Sequence, residues 1–419
     1  MHAWRRLRYD ESGMSYVFVG LGLTALLSAS MLAIDVGMLM TARNQAQNAA
    51  DAGALAGATA LFYDDFDDRS PGGPAVQSAI AAAKANAVMP GLDARQDGGG
   101  VVDVTPADVE FLNDEFGDPT RVKVTVHRTS ARGNPVSTLI AGIMSRFSAD
   151  GPNNETANIT ATATAEVSPA NGMTCVKPFT IPDKWREMNF APWDEDDEYD
   201  AFTKGGNPQP LPLCGSPGPG CADVYIPAAD CETCAANPNY TGYNNERERG
   251  TQLTIRAPTG DGIYVSFYFS LSIGGMEGTG GDPYRWNIAN CNRTVMHWYD
   301  PLIQEPGAMS GPTIQGLDEL IAKDPGAYWD TGANDVRGSS AEGQSPRVFP
   351  IPLYDPEFYD QGKRNGRVAD LRVANWIGFF LERTQGNGAI GRIIPIGGIR
   401  DGNSTAPTNL FPRAIRLVQ

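Results

Sequence analysis

From Met14 to Ile34 the chain reads MSYVFVGLGLTALLSASMLAI, 21 residues with no charge. At 1.5 Å rise per residue, a helix of this length spans roughly 31 Å, one bilayer hydrocarbon thickness. The segment therefore predicts a transmembrane helix. Arg5, Arg6 and Arg8 precede it, and the next basic residue is Arg43. Basic flanks stay cytoplasmic, so residues 1–13 are expected inside, the span at 14–39, and everything after about Leu39 outside the cytoplasm.

A cleaved signal peptide is the competing reading, with Arg5 to Arg8 as its basic region and Ser28-Ala29-Ser30 as small residues suited to cleavage. Against it, Met31, Leu32, Ile34, Val36, Met38, Leu39 and Met40 carry the helical pattern onward, and no proline follows until Pro71. Small residues recur every four positions at Ala25, Ala29, Ala33, Gly37 and Thr41, the spacing that lets helices approach closely in lipid. The spacing continues beyond the span at Ala46, Ala50 and Ala54 and at Ala49, Gly53 and Gly57, on a helix expected to run through 40–61. Either these form a packing face for partner helices, or alanine is present only as a good helix former.

Asp10-Glu11-Ser12-Gly13, the apolar span, Ile34-Asp35-Val36-Gly37 and the run Arg43-Asn44-Gln45-Ala46-Gln47-Asn48-Ala49-Ala50-Asp51-Ala52-Gly53-Ala54-Leu55-Ala56-Gly57-Ala58 together resemble the N-terminal signature of TadG-like proteins of the Flp (tight adherence) pilus system. The resemblance implies a bacterial single-pass inner-membrane protein that works with pilus assembly proteins and pseudopilins, and it does not imply an enzyme. Pseudopilins of that system carry a glutamate five positions after a glycine, where this chain has Phe18 after Gly13, so their processing is not expected. The DxSxS metal motif of larger relatives is also missing from the sequence.

Forty-nine acidic against 33 basic residues give a formal charge of -16, which argues against nucleic acid or anionic lipid as a partner of the outer part. All six cysteines, Cys175, Cys214, Cys221, Cys231, Cys234 and Cys291, follow residue 170. In an oxidising compartment an even count predicts disulfides, with the pairing open. Cys231-Glu-Thr-Cys234 also has redox or zinc spacing, but it sits in a Pro/Asn-rich stretch without a strand-to-helix frame.

Residues 62–73 break the helix with charge, proline and glycine. An alanine-rich helix is expected over Pro74 to Met89, then strands at Val101 to Val104, Asp108 to Leu112 and Arg121 to Arg128. A short helix over Pro135 to Phe147 and a Thr/Ala strand over Thr156 to Val167 follow. From Asn171, proline and glycine become dense. Strands are expected at Gln252 to Ala257, Gly262 to Ile273, Val348 to Leu353 and Val373 to Glu382, with a short helix at Leu317 to Ala322.

The fold class is thus α+β. A long transmembrane helix (14–39, continued over 40–61) leads into a pilin-like α+β domain at 62–170, and a β-rich, disulfide-bearing domain follows at 171–419.

Little in the sequence suggests chemistry. His297 with Asp300 has the makings of an acid/base pair, but no nucleophile motif stands beside it, and a structural histidine is expected. Gly386-Asn387-Gly388-Ala389-Ile390-Gly391 matches the nucleotide-binding pattern, yet strand-like residues follow it, so a hairpin turn is expected. Asp194-Glu195-Asp196-Asp197-Glu198-Tyr199-Asp200 alternates oxygens as calcium loops do, without their turn glycine. No catalytic, cofactor-binding or metal-ligating residue is assigned, and no small-molecule substrate is expected. The expected function is non-enzymatic, in pilus assembly. The alternative is a surface or secreted binding module, adhesin-like and calcium-dependent, that uses the helix only for export or anchoring.

Overall fold

The computed structural model describes residues 12–64, 68–89, 100–114, 119–138, 156–188, 194, 196–204, 209–229, 236–260, 262–274, 280–362, 368–402, 407 and 409–418. The chain divides into two compact units, Met1–Val167 with Ile415–Gln419, and Ser168–Ala414.

In the first unit a single 52-residue helix, Ser12–Tyr63 (α1), joins the apolar span to the small-residue run without a break. A second helix, Pro74–Ala85 (α2), opens on the proline at its first turn, where no backbone N–H is needed. The two lie close because Gly53 and Gly57 leave no room for more than hydrogen on that face. A Cβ on Gly57 would meet Val122 Cγ1 at 2.9 Å and Ala79 Cβ at 3.0 Å, and one on Gly53 would meet the Ala79 carbonyl oxygen at 3.0 Å.

Beneath the helices lies a four-stranded sheet. Val109–Leu112 (β1), Arg121–Arg128 (β2) and Ile159–Pro169 (β3) pair antiparallel in that order, and the strand Arg413–Val418 completes the far edge. Strict alternation along β2 puts Val122, Val124 and Val126 into the core with Ala42 to Phe62 of α1 and Ala75 to Ala83 of α2. Opposite positions on β3 carry alanine (Val122 against Ala165, Val124 against Ala163, Val126 against Ala161). Bulk from the strand thus meets small residues on both sides, which is how close packing is reached without voids.

Two expectations in this unit are corrected. Val101 to Val104 is not a strand, and Asp103 makes only an isolated bridge to His127. Pro106 starts a 3-10 turn at once, and Asp108 Oδ2 accepts from both the Thr105 N–H (2.9 Å) and its hydroxyl (2.7 Å), which halts the extended run. Nor does a helix begin at Pro135. Val136–Ser137 is extended and pairs with Thr156–Ala157. Buried Arg128 fixes that bend by donating to the carbonyls of Val88, Asn134 and Pro135. Residues 139–147 of the expected helix lie outside the described residues.

The second unit is built on a six-stranded sheet. Its strands are Phe179–Pro182 (β4), Gln252–Arg256 (β5), Phe269–Ser270 (β6), Val348–Tyr354 (β7), Val373–Gln385 (β8) and Gly388–Ile394 (β9), in the order β5-β9-β8-β7-β4-β6. Only β7 and β4 run parallel. Central β7 is buried throughout, and β8 almost continuously from Val373 to Leu381, which is why both are mostly apolar, with Asn375 the buried polar exception in β8.

Gly281–Ala289 (α3) and Ser310–Lys323 (α4) pack together at Gly316, where a Cβ would strike Ile288, and α4 lies against β8 and β9. The expected helix at Leu317 to Ala322 is therefore longer, and α3 was not foreseen. The expected strand Gly262 to Ile273 shrinks to β6 plus isolated bridges at Tyr264, Phe267 and Leu271. There the backbone turns, Phe267 N–H donating to Tyr264, and Tyr268 hydrogen-bonds Thr313 Oγ1 on α4 instead of joining a ladder. Gly386, with φ at 58°, and Asn387 form the two-residue turn between β8 and β9, in the nucleotide-like glycine run.

Two disulfides are formed, Cys175–Cys291 and Cys214–Cys221. Cys231 and Cys234 lie outside the described residues.

Candidate functional site

Helix α1 changes character along its length. Residues 17–30 are exposed throughout, including Phe18, Leu26 and Leu27, at 66%, 66% and 50% of their surface. Burial sets in through Asp35, Leu39 and Ala42, and is regular by Ala46. Among the described residues α1 is the one helix long and apolar enough to cross a membrane. Its few polar groups are compatible with hydrocarbon, because Thr24 and Ser30 return their hydroxyls to carbonyls one turn back, Gly20 and Leu26, at 2.8 and 2.9 Å.

The small-residue ridge divides at the same place. Ala25, Ala29, Ala33, Gly37 and Thr41 are all exposed, and a Cβ placed on Gly37 meets nothing within 4 Å. Ala46, Ala50, Ala54, Ala49, Gly53 and Gly57 are all buried against α2 and the sheet. The second set is consumed by the chain itself, so it offers no face to a partner helix. Asp35, at the boundary, is 7% exposed, whereas Ile34 and Val36 beside it are about half exposed, at 51% and 46%.

The remaining sequence candidates are placed as follows. His297 Nε2 lies 2.8 Å from Asp401 Oδ2, and its Nδ1 lies 3.7 Å from Asp300 Oδ2. Asp300 also accepts the His297 N–H, and Asp401 accepts from Asn171, which ties the imidazole into a fixed polar corner. His127 bonds Asp108 at 3.1 Å on the solvent side of β2. In the acidic run, Asp196 pairs with Arg256 at 2.8 Å, and Lys204 draws Glu198 and Asp200 to 2.7 and 3.3 Å. Asp197 accepts the Asp194 N–H, and Glu195 lies outside the described residues. The oxygens that alternate in sequence are thus spent on basic side chains and turns.

Sequence reasoning missed three buried groups of the second unit. Asp183 accepts from Tyr225, Tyr240 and the N–H groups of Lys184 and Tyr243, and burial still pushes its carboxyl up to about 6. Lys177 donates to the carbonyls of Ile288 and Asn290 at the end of α3, and burial, with Lys323 nearby, pulls it down to about 7. Burial likewise raises Asp355 to about 6, against the backbone N–H of Phe358. None of the three stands in a motif that sets it apart in the sequence. Only the tertiary environment makes them unusual.

A cavity of about 540 Å³ lies wholly in the second unit and is walled by Trp298, Tyr299, Phe358, Asp355, Asp370 and Arg372, among others. No sequence motif pointed to it, because its walls come from stretches far apart in the chain, between Pro227 and Ala374.

Residues 13–60 match the Tad family model, described as Flp pilus-assembly TadE/G-like. The match begins just ahead of the apolar span and ends where α1 is fully packed, so it covers both the exposed and the buried halves of the helix. No curated protein matches the chain, and no solved structure does.

Proposed function

We propose that this chain is a non-enzymatic, membrane-anchored component of Flp pilus assembly. In this reading α1 crosses the bacterial inner membrane once with its N-terminus cytoplasmic, and residues after about 39 lie outside. The observation that carries it is the coincidence of the family match at 13–60 with a helix that is exposed and apolar in one half and packed in the other. Function then consists of positioning. The exposed ridge Ala25, Ala29, Ala33 and Gly37 docks against helices of assembly proteins or pseudopilins in lipid, and the outer units make extracytoplasmic protein contacts.

The test is site-specific crosslinking from the exposed ridge in cells that assemble pili. Replacing Ala29 and Ala33 by leucine is expected to weaken crosslinks to partner helices several-fold without reducing membrane insertion. Undiminished crosslinking would refute the docking role. Intact mass after separating sheared surface material, membranes and culture fluid tests the anchor. Full-length protein in the membrane supports it, and a form starting near Met31 in the fluid overturns it.

A further inference from the structure

The cavity of the second unit has features that converge on one kind of ligand. Its walls carry three aromatic rings, of which Tyr299, on a loop, and Phe358, in the short helix Pro356–Gly362, are 41% and 44% exposed. Two carboxylates, Asp355 and Asp370, line the same space, and among the described residues neither has a basic side chain within ion-pair distance. Arg372, the cationic member of the wall among the described residues, is stacked within the wall on Tyr299 and so competes with an incoming cation for that ring. Its guanidinium lies 4.8 Å from the centre of the Tyr299 ring and donates to the Tyr299 carbonyl at 3.2 Å.

The backbone is held in an uncommon shape on both sides of this contact. Tyr299 has φ at 69° and Asp370 at 59°, the left-handed region that side chains other than glycine and asparagine enter at a cost. The two loops are locked together by hydrogen bonds from Tyr299 N–H to the Val373 carbonyl and from Val373 N–H to the Asp300 carbonyl. That ladder keeps the tyrosine ring and the Asp370 carboxylate at the rim.

We infer that this cavity binds a lysine side chain presented by a partner polypeptide. Aromatic faces accept the apolar stem of lysine and attract its ammonium through the ring quadrupole, while the two carboxylates that lack an ion pair supply the opposite charge. Charge complementarity favours this occupant, since among the described residues of the wall two carboxylates outnumber one guanidinium, and the chain carries a formal charge of -16 that draws in cationic partners. A volume of about 540 Å³ lies within the range of built ligand sites. The inference uses residues of the second unit alone and does not rest on the pilus reading.

The experiment is ligand-observed NMR on the full chain in nonionic detergent, with the capped tripeptide Gly-Lys-Gly as probe. Matching tripeptides carrying norleucine or Nε-acetyl-lysine, and a disaccharide of N-acetylglucosamine, serve as competitors. A dissociation constant on the order of millimolar is expected for the lysine peptide, given its small size, with no binding of the other three. Asp370→Asn keeps a residue that tolerates the left-handed backbone, and it is expected to weaken binding about three- to tenfold. Arg372→Met removes the competing cation and is expected to strengthen binding by a similar factor. A mere folding defect would weaken both variants. Equal binding of the norleucine peptide, shifts of the same sign in the two variants, or binding of the disaccharide in place of the lysine peptide would each overturn the proposal.

Discussion

The packing of α1 on α2 makes the sharpest energetic prediction, at Gly57. Replacing this glycine by alanine gains about 1 kcal/mol of helix propensity. The new methyl would sit 2.9 Å from Val122 Cγ1 on β2, and 3.0 Å from Ala79 Cβ and 3.3 Å from the Ala75 carbonyl oxygen on α2, all inside normal contact. Overpacking of that kind costs about 1–3 kcal/mol, so after the propensity gain Gly57→Ala should be destabilising by roughly 1 kcal/mol. Gly57→Leu adds three more carbons where no space exists and should cost roughly 3 kcal/mol or more.

Hydrogen exchange of the α2 amides, read by mass spectrometry on the detergent-solubilised chain, converts these figures into rates. At tenfold per 1.4 kcal/mol, protection should fall about fivefold for the alanine variant and about a hundredfold or more for the leucine variant. Gly37→Leu, in open space on the exposed half of the same helix, should leave α2 unchanged. Equal protection in wild type and Gly57→Leu would show that the two helices are not in the contact described, and would return Gly57 to the face available to partners.

Two further outcomes follow from the second unit. Asp183 and Asp355 have carboxyls raised by burial to about 6, so they contribute stability at pH 4 that is lost as pH rises through 6, at most about 3 kcal/mol for Asp183. Lys177 is depressed to about 7, so its contribution grows as pH rises from 7 towards 10. The melting temperature should therefore pass through a minimum near pH 7, and Asp183→Asn should flatten its acid limb. A profile without that minimum would contradict the buried placement of these groups. Cys175–Cys291 spans a sequence separation of 116 and Cys214–Cys221 one of 7, so loop-closure entropy predicts that removing the first costs about 5 kcal/mol and the second about half that. Thermal melting of the two double serine variants should rank them in that order, and the reverse ranking would contradict it.

What the sequence determined by itself was everything governed by local period. Twenty-one uncharged residues fix a membrane-length helix, alternation fixes β2, and aromatic-rich stretches mark β7 and β8, because each signal is contained within one element and needs no partner to be read. The Asp-Glu-Ser-Gly start and the small-residue run carried the family likeness for the same reason. Where local chemistry competes with period the reading failed, as at Thr105-Pro106, whose cap stops a strand, and at Tyr268, whose hydroxyl bonds across to α4.

Tertiary structure alone decided how the small-residue ridge is used. Ala29 and Gly53 look alike as letters, yet one faces open space and the other a helix that arrives more than twenty residues later in the chain. It also returned the last strand to the first unit's sheet, paired four of the cysteines, and gathered Trp298, Asp355 and Asp370 around one cavity. These are long-range contacts, and no periodicity along the chain records which distant segments will meet.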